Sequence, residues 1–261
     1  MDLQYASDLH LEFPNNSIYM EENPIKPLSD ILLLGGDITL FHDDYFKDQF
    51  FDYISKNWKE VYMICGNHEF YNNNDLAIQL KPFEQKIRDN ITLLNNEVVF
   101  IDNVKFIFST LWSQIEPGKE MIIRNSMNDF RLIKYEDRLL QPYQYNKIHN
   151  IAVDFIKEQT NILNNEFRSF IDKTVVVTHH LPTNLLTHSD FKNNKLNSAF
   201  STDLRFIEDD TKYNIDYWIY GHTHRNVRDK SINKTQFLSN QLGYVGYESI
   251  NEFKTNLILT I

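Results

Sequence analysis

The chain has 261 residues and a formal net charge of −10, with 36 acidic residues against 26 basic ones. At 42% hydrophobic, with 19 Phe and 14 Tyr, it holds enough apolar material for one well-buried α/β core, which excludes a disordered chain. No apolar run approaches the roughly 20 residues of a membrane span, and an acidic balance without a dense Lys/Arg run argues against an extended nucleic-acid-binding face.

A strand is predicted at once, at residues 3–7, without the basic stretch, apolar stretch and cleavage site of a secretory signal before it. The single cysteine, Cys65, excludes an internal disulfide and points to a reducing, cytoplasmic setting. Further strands are predicted at residues 31–35, 61–65, 98–101, 105–109, 174–178, 217–220, 235–239 and 255–260, from short runs rich in β-branched and aromatic residues. Asp102-Asn103, between two alternating runs, predicts a tight hairpin. Helices are predicted at residues 44–57, 75–89 and 142–171, and near 202–209, with Pro142 suited to a first helical position. In the long helix Ile148, Ile151, Ala152, Phe155, Ile162 and Phe170 make an apolar stripe expected to face a sheet. Residues 112–141 fit neither period and are expected to border a functional site, as long irregular segments of compact domains often do. With no repeat and no linker, the chain reads as one domain of two packed mixed sheets with helices outside.

Five of the strand-like runs end in pieces rich in Asp, Asn and His: Asp8-Leu9-His10, Gly36-Asp37, Gly66-Asn67-His68-Glu69, His179-His180 and Gly221-His222-Thr223-His224. Asp8 and His10 lie two apart, so an extended backbone projects both to one side. His222 and His224 repeat that spacing. Asp37 follows two glycines that permit close backbone approach, and its two oxygens can bridge two ions. Asn67 offers a neutral amide oxygen, and His179 caps a Val-rich strand. Singly, these pieces read as turns or caps, and His222 with His224 would also suit a mononuclear zinc site. Together they supply donors for two divalent ions: Asp8, His10, Asp37 and His224 for one, and Asp37, Asn67, His179 and His222 for the other. Two ions roughly 3.5–4 Å apart, sharing a carboxylate and keeping open positions, form the clamp used in phosphoester hydrolysis.

This ordered set, spanning residues 8 to 224, resembles the calcineurin-like metallophosphoesterase superfamily, and the ligand assignment follows that family's pattern. The resemblance implies an α/β fold, a four-layer α/β/β/α sandwich, with a dinuclear centre and in-line attack on phosphorus by a hydroxide shared between the ions. It implies further that His68 is not a ligand but stands beside the scissile phosphate, stabilising charge or protonating the leaving oxygen. Mn²⁺ is the expected metal; Fe, Zn, Co and Ni also suit Asp/His/Asn donors. Leu111-Trp112, Met127-Asn128-Asp129-Phe130-Arg131 and Gly243-Tyr244 resemble a compact bacterial or phage-type branch.

Departures narrow the expectation. Asp37 is followed by Ile38-Thr39-Leu40-Phe41, without the Asp and Arg that Ser/Thr protein phosphatases place there, and those enzymes lack a Gly-His-x-His pair. The capping domain and coiled-coil segment of the DNA-repair nucleases have no room in this chain. A small phosphomonoester or phosphodiester is therefore the expected substrate, with no membrane partner and the oligomeric state open. A nuclease acting on short single strands and a non-catalytic protein-binding scaffold are the alternatives. Among the remaining residues, His180 reads as a support for its neighbour and Cys65 as a small buried hydrophobe. His42, His149 and His188 have no matching partner, with His42 read as exposed loop. A substrate contact from Arg124, Asn128, Asp129 or Arg131 stands beside an ordinary solvated role.

Overall fold

In chain order the elements are β1 (Asp2–Ala6), α1 (Pro14–Glu22), β2 (Ile31–Leu34), α2 (Gln49–Asn57), β3 (Glu60–Ile64), β4 (Phe83–Arg88), β5 (Ile91–Asn95), β6 (Glu97–Ile101), β7 (Val104–Phe108), α3 (Glu120–Ser126), α4 (Asp129–Leu132), β8 (Lys134–Tyr135), β9 (Arg138–Leu139), α5 (Pro142–Thr160), β10 (Lys173–Val177), β11 (Tyr217–Ile219), β12 (Lys230–Ile232), β13 (Thr235–Leu238) and β14 (Leu259–Thr260). They come from a computed structural model that describes residues 1–41, 49–164, 170–248 and 252–261.

Among the described residues twelve of the strands form two six-stranded sheets, in the orders β14-β1-β2-β3-β5-β4 and β12-β13-β11-β10-β7-β6, while β8 and β9 pair with each other. In each sheet the four inner strands are parallel, and both edge strands run antiparallel. Side chains alternate across a strand, and that period sorts the core into layers. Leu3, Tyr5, Leu33, Ile64 and Leu94 of the first sheet pack against Phe106, Phe108, Val175, Val177 and Ile219 of the second. The alternate residues Leu32, Leu34, Val61 and Met63 turn outward onto Phe51 and Ile54 of α2. On the far side, Ile107, Val176 and Trp218 meet Ala152, Val153 and Ile156 of α5. Burial on both faces is why the inner strands read as unbroken apolar runs. The result is the expected α/β/β/α sandwich of two mixed sheets. Among the described residues no helix is long and apolar enough to cross a membrane.

Several expected elements are corrected. Residues 75–89 are not a helix: a short 3₁₀ turn, Leu76–Leu80, gives way to edge strand β4. Lys81 precedes Pro82 and is extended (φ −128°, ψ 152°), as the residue before proline prefers. The strand β5, fully buried, was not expected at all. The helix from Pro142 stops at Thr160 because Asn161 turns extended and bridges to Tyr213. Phe170, expected on its apolar stripe, is instead 72% exposed. Residues 112–141 hold two short helices and the β8–β9 hairpin rather than irregular chain, while 202–209 yields only a 3₁₀ turn at Arg205–Glu208. Of residues 255–260 only Leu259–Thr260 pairs as strand. Helix α1 was unforeseen; only Asn16 and Met20 on it are buried, too few to mark an apolar stripe. The start of the helix expected at 44–57, and His42, lie outside the described residues.

Candidate metal centre

The five polar pieces follow the carboxyl ends of β1, β2, β3, β10 and β11, where open α/β sheets place their sites. Their loops are locked together by the backbone. The Asp8 and His10 amides donate to the carbonyls of Gly36 (3.0 Å) and Asp37 (3.0 Å), and the Gly221 amide donates to His179 (2.9 Å). The His222 amide donates to Asp8 Oδ1 at 2.9 Å, and that of His68 to Asp37 Oδ1 at 2.8 Å. Glu69, buried behind them, accepts from the amides of Asp37 (2.9 Å), Ile38 (2.7 Å) and Gly66 (2.6 Å). Burial and the Asp37 charge push its carboxyl up to about 8. Asp8 (φ 55°), His10 (49°), Asp37 (53°), His222 (78°) and His224 (53°) all occupy the left-handed region. Non-glycine residues go there at a cost and cluster at functional sites. Gly66 is needed for closeness instead: a Cβ there would sit 2.7 Å from the Asp37 amide nitrogen and against its carboxylate.

Among the described residues three groups of donor atoms result, one of Asp8, His10, Asp37 and His224, one of Asp37, His179 and His222, and a third of His10, Glu12 and His68, with each group's atoms within 4.8 Å of one another; the first two are the ones that the predicted ligands fill. Asp37 belongs to both. In the first, His10 Nε2 lies 2.9 Å from His224 Nε2, and His224 Nε2 lies 3.4 Å from Asp8 Oδ1. The outer nitrogens of both rings face carboxylates, His10 Nδ1 at 3.2 Å from Glu12 and His224 Nδ1 at 2.8 Å from Glu248. A carboxylate accepts, so each Nδ1 carries a hydrogen, and each Nε2 is the atom left for a proton or a metal to take. Two lone pairs 2.9 Å apart repel unless a cation joins them.

The second group repeats this logic. His179 Nδ1 donates to the Gly35 carbonyl at 2.8 Å, so its Nε2 is the atom left for a proton or a metal. That nitrogen faces Asn67 Oδ1 at 3.3 Å, His222 Nδ1 at 3.2 Å and Asp37 Oδ2 at 3.3 Å. Asn67 is oriented oxygen-inward because its amide nitrogen donates to Tyr71 Oη (3.0 Å) and Asp129 Oδ1 (3.0 Å). Acceptors therefore converge on two points, and Asp8 Oδ2 is buried with no hydrogen-bond partner. This donor set fits two cations.

Protons compete for the same lone pairs. Burial opposes charge on His179, but Asp37 outweighs it and lifts the ring to about 9. At His224 burial is outweighed by Asp8 and Glu248, giving about 10, while burial and the neighbouring His179 push His222 down to about 3. A metal needs the rings bare, so loading expels those protons. Metal affinity should therefore climb from neutral pH and level off once pH passes about 9 to 10. A Mn²⁺ titration that is flat over that range would count against these rings as ligands. Without metal the sign reverses: both raised pKa values favour the fold below 6.5, and that contribution is lost as pH rises through about 9 and 10.

Every predicted donor is thus brought into the cluster. His68 lies outside both four-residue sets, its Nδ1 2.7 Å from Glu12 Oε1. Burial opposes its charge, yet Asp37 and Glu12 raise its pKa above the ordinary histidine value. His180 holds no place among the donors; its Nε2 meets Tyr145 Oη at 3.0 Å and its ring lies 4.0 Å from that of His222. His149 is buried with Nδ1 3.2 Å from the Trp112 carbonyl, and Arg124 and Arg131 are exposed. Asp129 is the residue of the 112–141 stretch that reaches the centre. An Asp129→Ala change should free the Asn67 amide to rotate and weaken metal binding by about 10–100-fold, measurable by isothermal titration. Sequence reasoning missed Glu12, Tyr71, Tyr244 and Glu248. Glu12 had a signal, since it continues the two-residue period of Asp8 and His10. The centre opens into a cleft of about 330 Å³ lined by His68, Asn128, Phe191, Asn197, Phe200 and Tyr244, among others.

Two mixed sheets between helices, with Asp, Asn and His side chains gathered at their strand ends, define a metal-dependent hydrolase. Residues 5–226 match the family model of the calcineurin-like phosphoesterases, and the chain belongs to that family. It is 32% identical over 268 residues to the uncharacterized protein L509 of Acanthamoeba polyphaga mimivirus, covering 93% of this chain and 91% of that protein. The fold is similar to the crystal structure of the phosphopantetheinyl hydrolase PptH from Mycobacterium tuberculosis, with a TM-score of 0.62 at 18% identity over 93% of this chain and 89% of that one.

Proposed function

We propose that the chain is a dinuclear metal-dependent phosphoesterase acting on a small phosphodiester or phosphomonoester, with Mn²⁺ as the metal it takes most readily. The observation that carries this reading is the convergence of hydrogen-bond acceptors on two points that share Asp37. Asp8, His10, Asp37 and His224 hold one ion; Asp37, Asn67, His179 and His222 hold the other. Bound there, such a pair supplies charge neutralisation at phosphate and an activated water.

The chain's own residues do the rest. Glu12, Glu248 and the Gly35 carbonyl fix the tautomers of His10, His224 and His179, so their Nε2 atoms stay aimed inward. His68, its Nδ1 held by Glu12 at 2.7 Å, serves the leaving oxygen as acid. The cleft, at about 330 Å³, sits at the small end of ligand pockets and suits a small ester better than a polymer.

Elemental analysis of protein purified without chelator and then loaded with Mn²⁺ tests the reading, together with hydrolysis of bis(p-nitrophenyl) phosphate. The expected result is about two ions per chain, with activity abolished by chelation and restored by Mn²⁺. Fewer than about one ion per chain together with no hydrolysis of diesters or monoesters would overturn it; faster cleavage of a short oligonucleotide than of any small ester would redirect it to a nuclease.

A further inference from the structure

Beside the donors of the two ions, Glu12, His68 and Tyr244 stand in a row. Glu12 Oε1 is 2.7 Å from His68 Nδ1, and His68 Nε2 is 3.1 Å from the Tyr244 hydroxyl. Since the Glu12 carboxylate only accepts, Nδ1 carries its hydrogen toward Glu12 and Nε2 is committed to Tyr244. The His68 ring is packed between His10 (4.4 Å) and Tyr71 (4.3 Å), which leaves it little freedom to turn elsewhere. Tyr244 is held as firmly. Its ring lies 4.6 Å from that of His10 and 4.5 Å from that of His224, and its amide donates to Glu248 at 3.0 Å. Both His68 and Tyr244 line the cleft. An oxygen leaving phosphorus in that cleft therefore finds the Tyr244 hydroxyl set at the mouth of the His68 nitrogen.

We infer that Tyr244 is a catalytic residue, whose hydroxyl delivers the proton to the departing oxygen while His68 replaces it. This rests on the phosphoesterase reading above and on His68 as the acid. As the P–O bond breaks, its electron pair takes the Tyr244 proton; the phenolic oxygen takes the proton from His68 Nε2. His68 ends neutral, and its Nδ1 hydrogen stays with Glu12. No further reactant is needed. Glu12 is a positioning residue in this scheme: the same carboxylate also lies 3.2 Å from His10 Nδ1, so it ties the acid to the first cation group.

Tyr244→Phe keeps the ring against the histidines and removes only the hydroxyl. The Mn²⁺-loaded variant is assayed on diphenyl phosphate, whose leaving phenol is about as basic as tyrosine at roughly 10, and on bis(p-nitrophenyl) phosphate, whose leaving group needs less protonation. The expected loss in kcat on diphenyl phosphate is about 100-fold, and at least about tenfold greater than the loss on the nitrophenyl diester, with KM and metal content unchanged. In a His68→Ala background Tyr244→Phe adds no further loss, because residues acting in one chain are not additive. The imidazole nitrogen NMR resonance of His68 Nε2 should also shift in the Phe variant. Equal losses on both substrates, no loss on either, or additive losses would overturn the assignment. A wild-type protein that hydrolyses neither ester with Mn²⁺ overturns the function reading itself; a His68→Ala variant with wild-type rates on both esters overturns the relay, and a slow His68→Ala beside an unimpaired Tyr244→Phe overturns the Tyr244 assignment alone.

Discussion

Replacing Asp37 with Asn should strip both ions from the centre and reduce kcat by roughly a thousandfold or more, since losing even a supporting contact of a metal ligand costs about 10–100-fold. Asp37 is the one carboxylate common to both donor groups. Its Oδ2 lies 3.3 Å from His179 Nε2 and 3.8 Å from His10 Nε2, and its Oδ1 accepts the His68 amide at 2.8 Å. An asparagine preserves that volume and can still accept the amide. It removes the negative charge, however, and puts an NH₂ donor among lone pairs that otherwise attract a cation. The prediction thus separates charge from shape. Metal analysis and diester hydrolysis on the same preparation read both consequences. Retention of two ions by the Asn variant would show that Asp37 is not shared between them.

The site was legible because its chemistry is written in residue type and spacing. Asp8 with His10, and His222 with His224, declare themselves by the two-residue period; Asp37 and His179 do so by closing apolar runs. The inner strands were legible for a related reason. Burial on both faces makes β2 an unbroken Ile31-Leu32-Leu33-Leu34 run, which nothing else in a short segment explains. The edge of the first sheet was not legible. β4 shows no buried residue and pairs only because β5 offers it a register, so its polar sequence mimics a helix until Pro82 is weighed. The roles of Tyr244 and Glu248, and that of Asp129 in orienting Asn67 rather than touching substrate, escaped for a third reason. These residues reach the centre across 24 or more residues of sequence separation through loops and a short helix, where no period marks them.

His68→Ala is expected to keep two ions and lose about 10²–10⁴-fold in kcat, the usual contribution of a positioned acid. Its ring bonds Glu12 and Tyr244 rather than any member of the second donor group, and it meets the first through a ring contact with His10 at 4.4 Å and through Glu12, which also faces His10 Nδ1 at 3.2 Å. Deleting it leaves the lone-pair convergence at His10, His224 and His179 intact, so metal content should match the wild type within error. The loss should be concentrated in kcat, because a proton is needed only as the leaving oxygen acquires charge, and it should deepen as that oxygen becomes more basic. Set beside Asp37→Asn, the pair of variants divides holding the metals from helping the leaving group. If His68→Ala loses metal as fully as Asp37→Asn does, His68 belongs to the metal centre, and the proton must come from another group in the cleft.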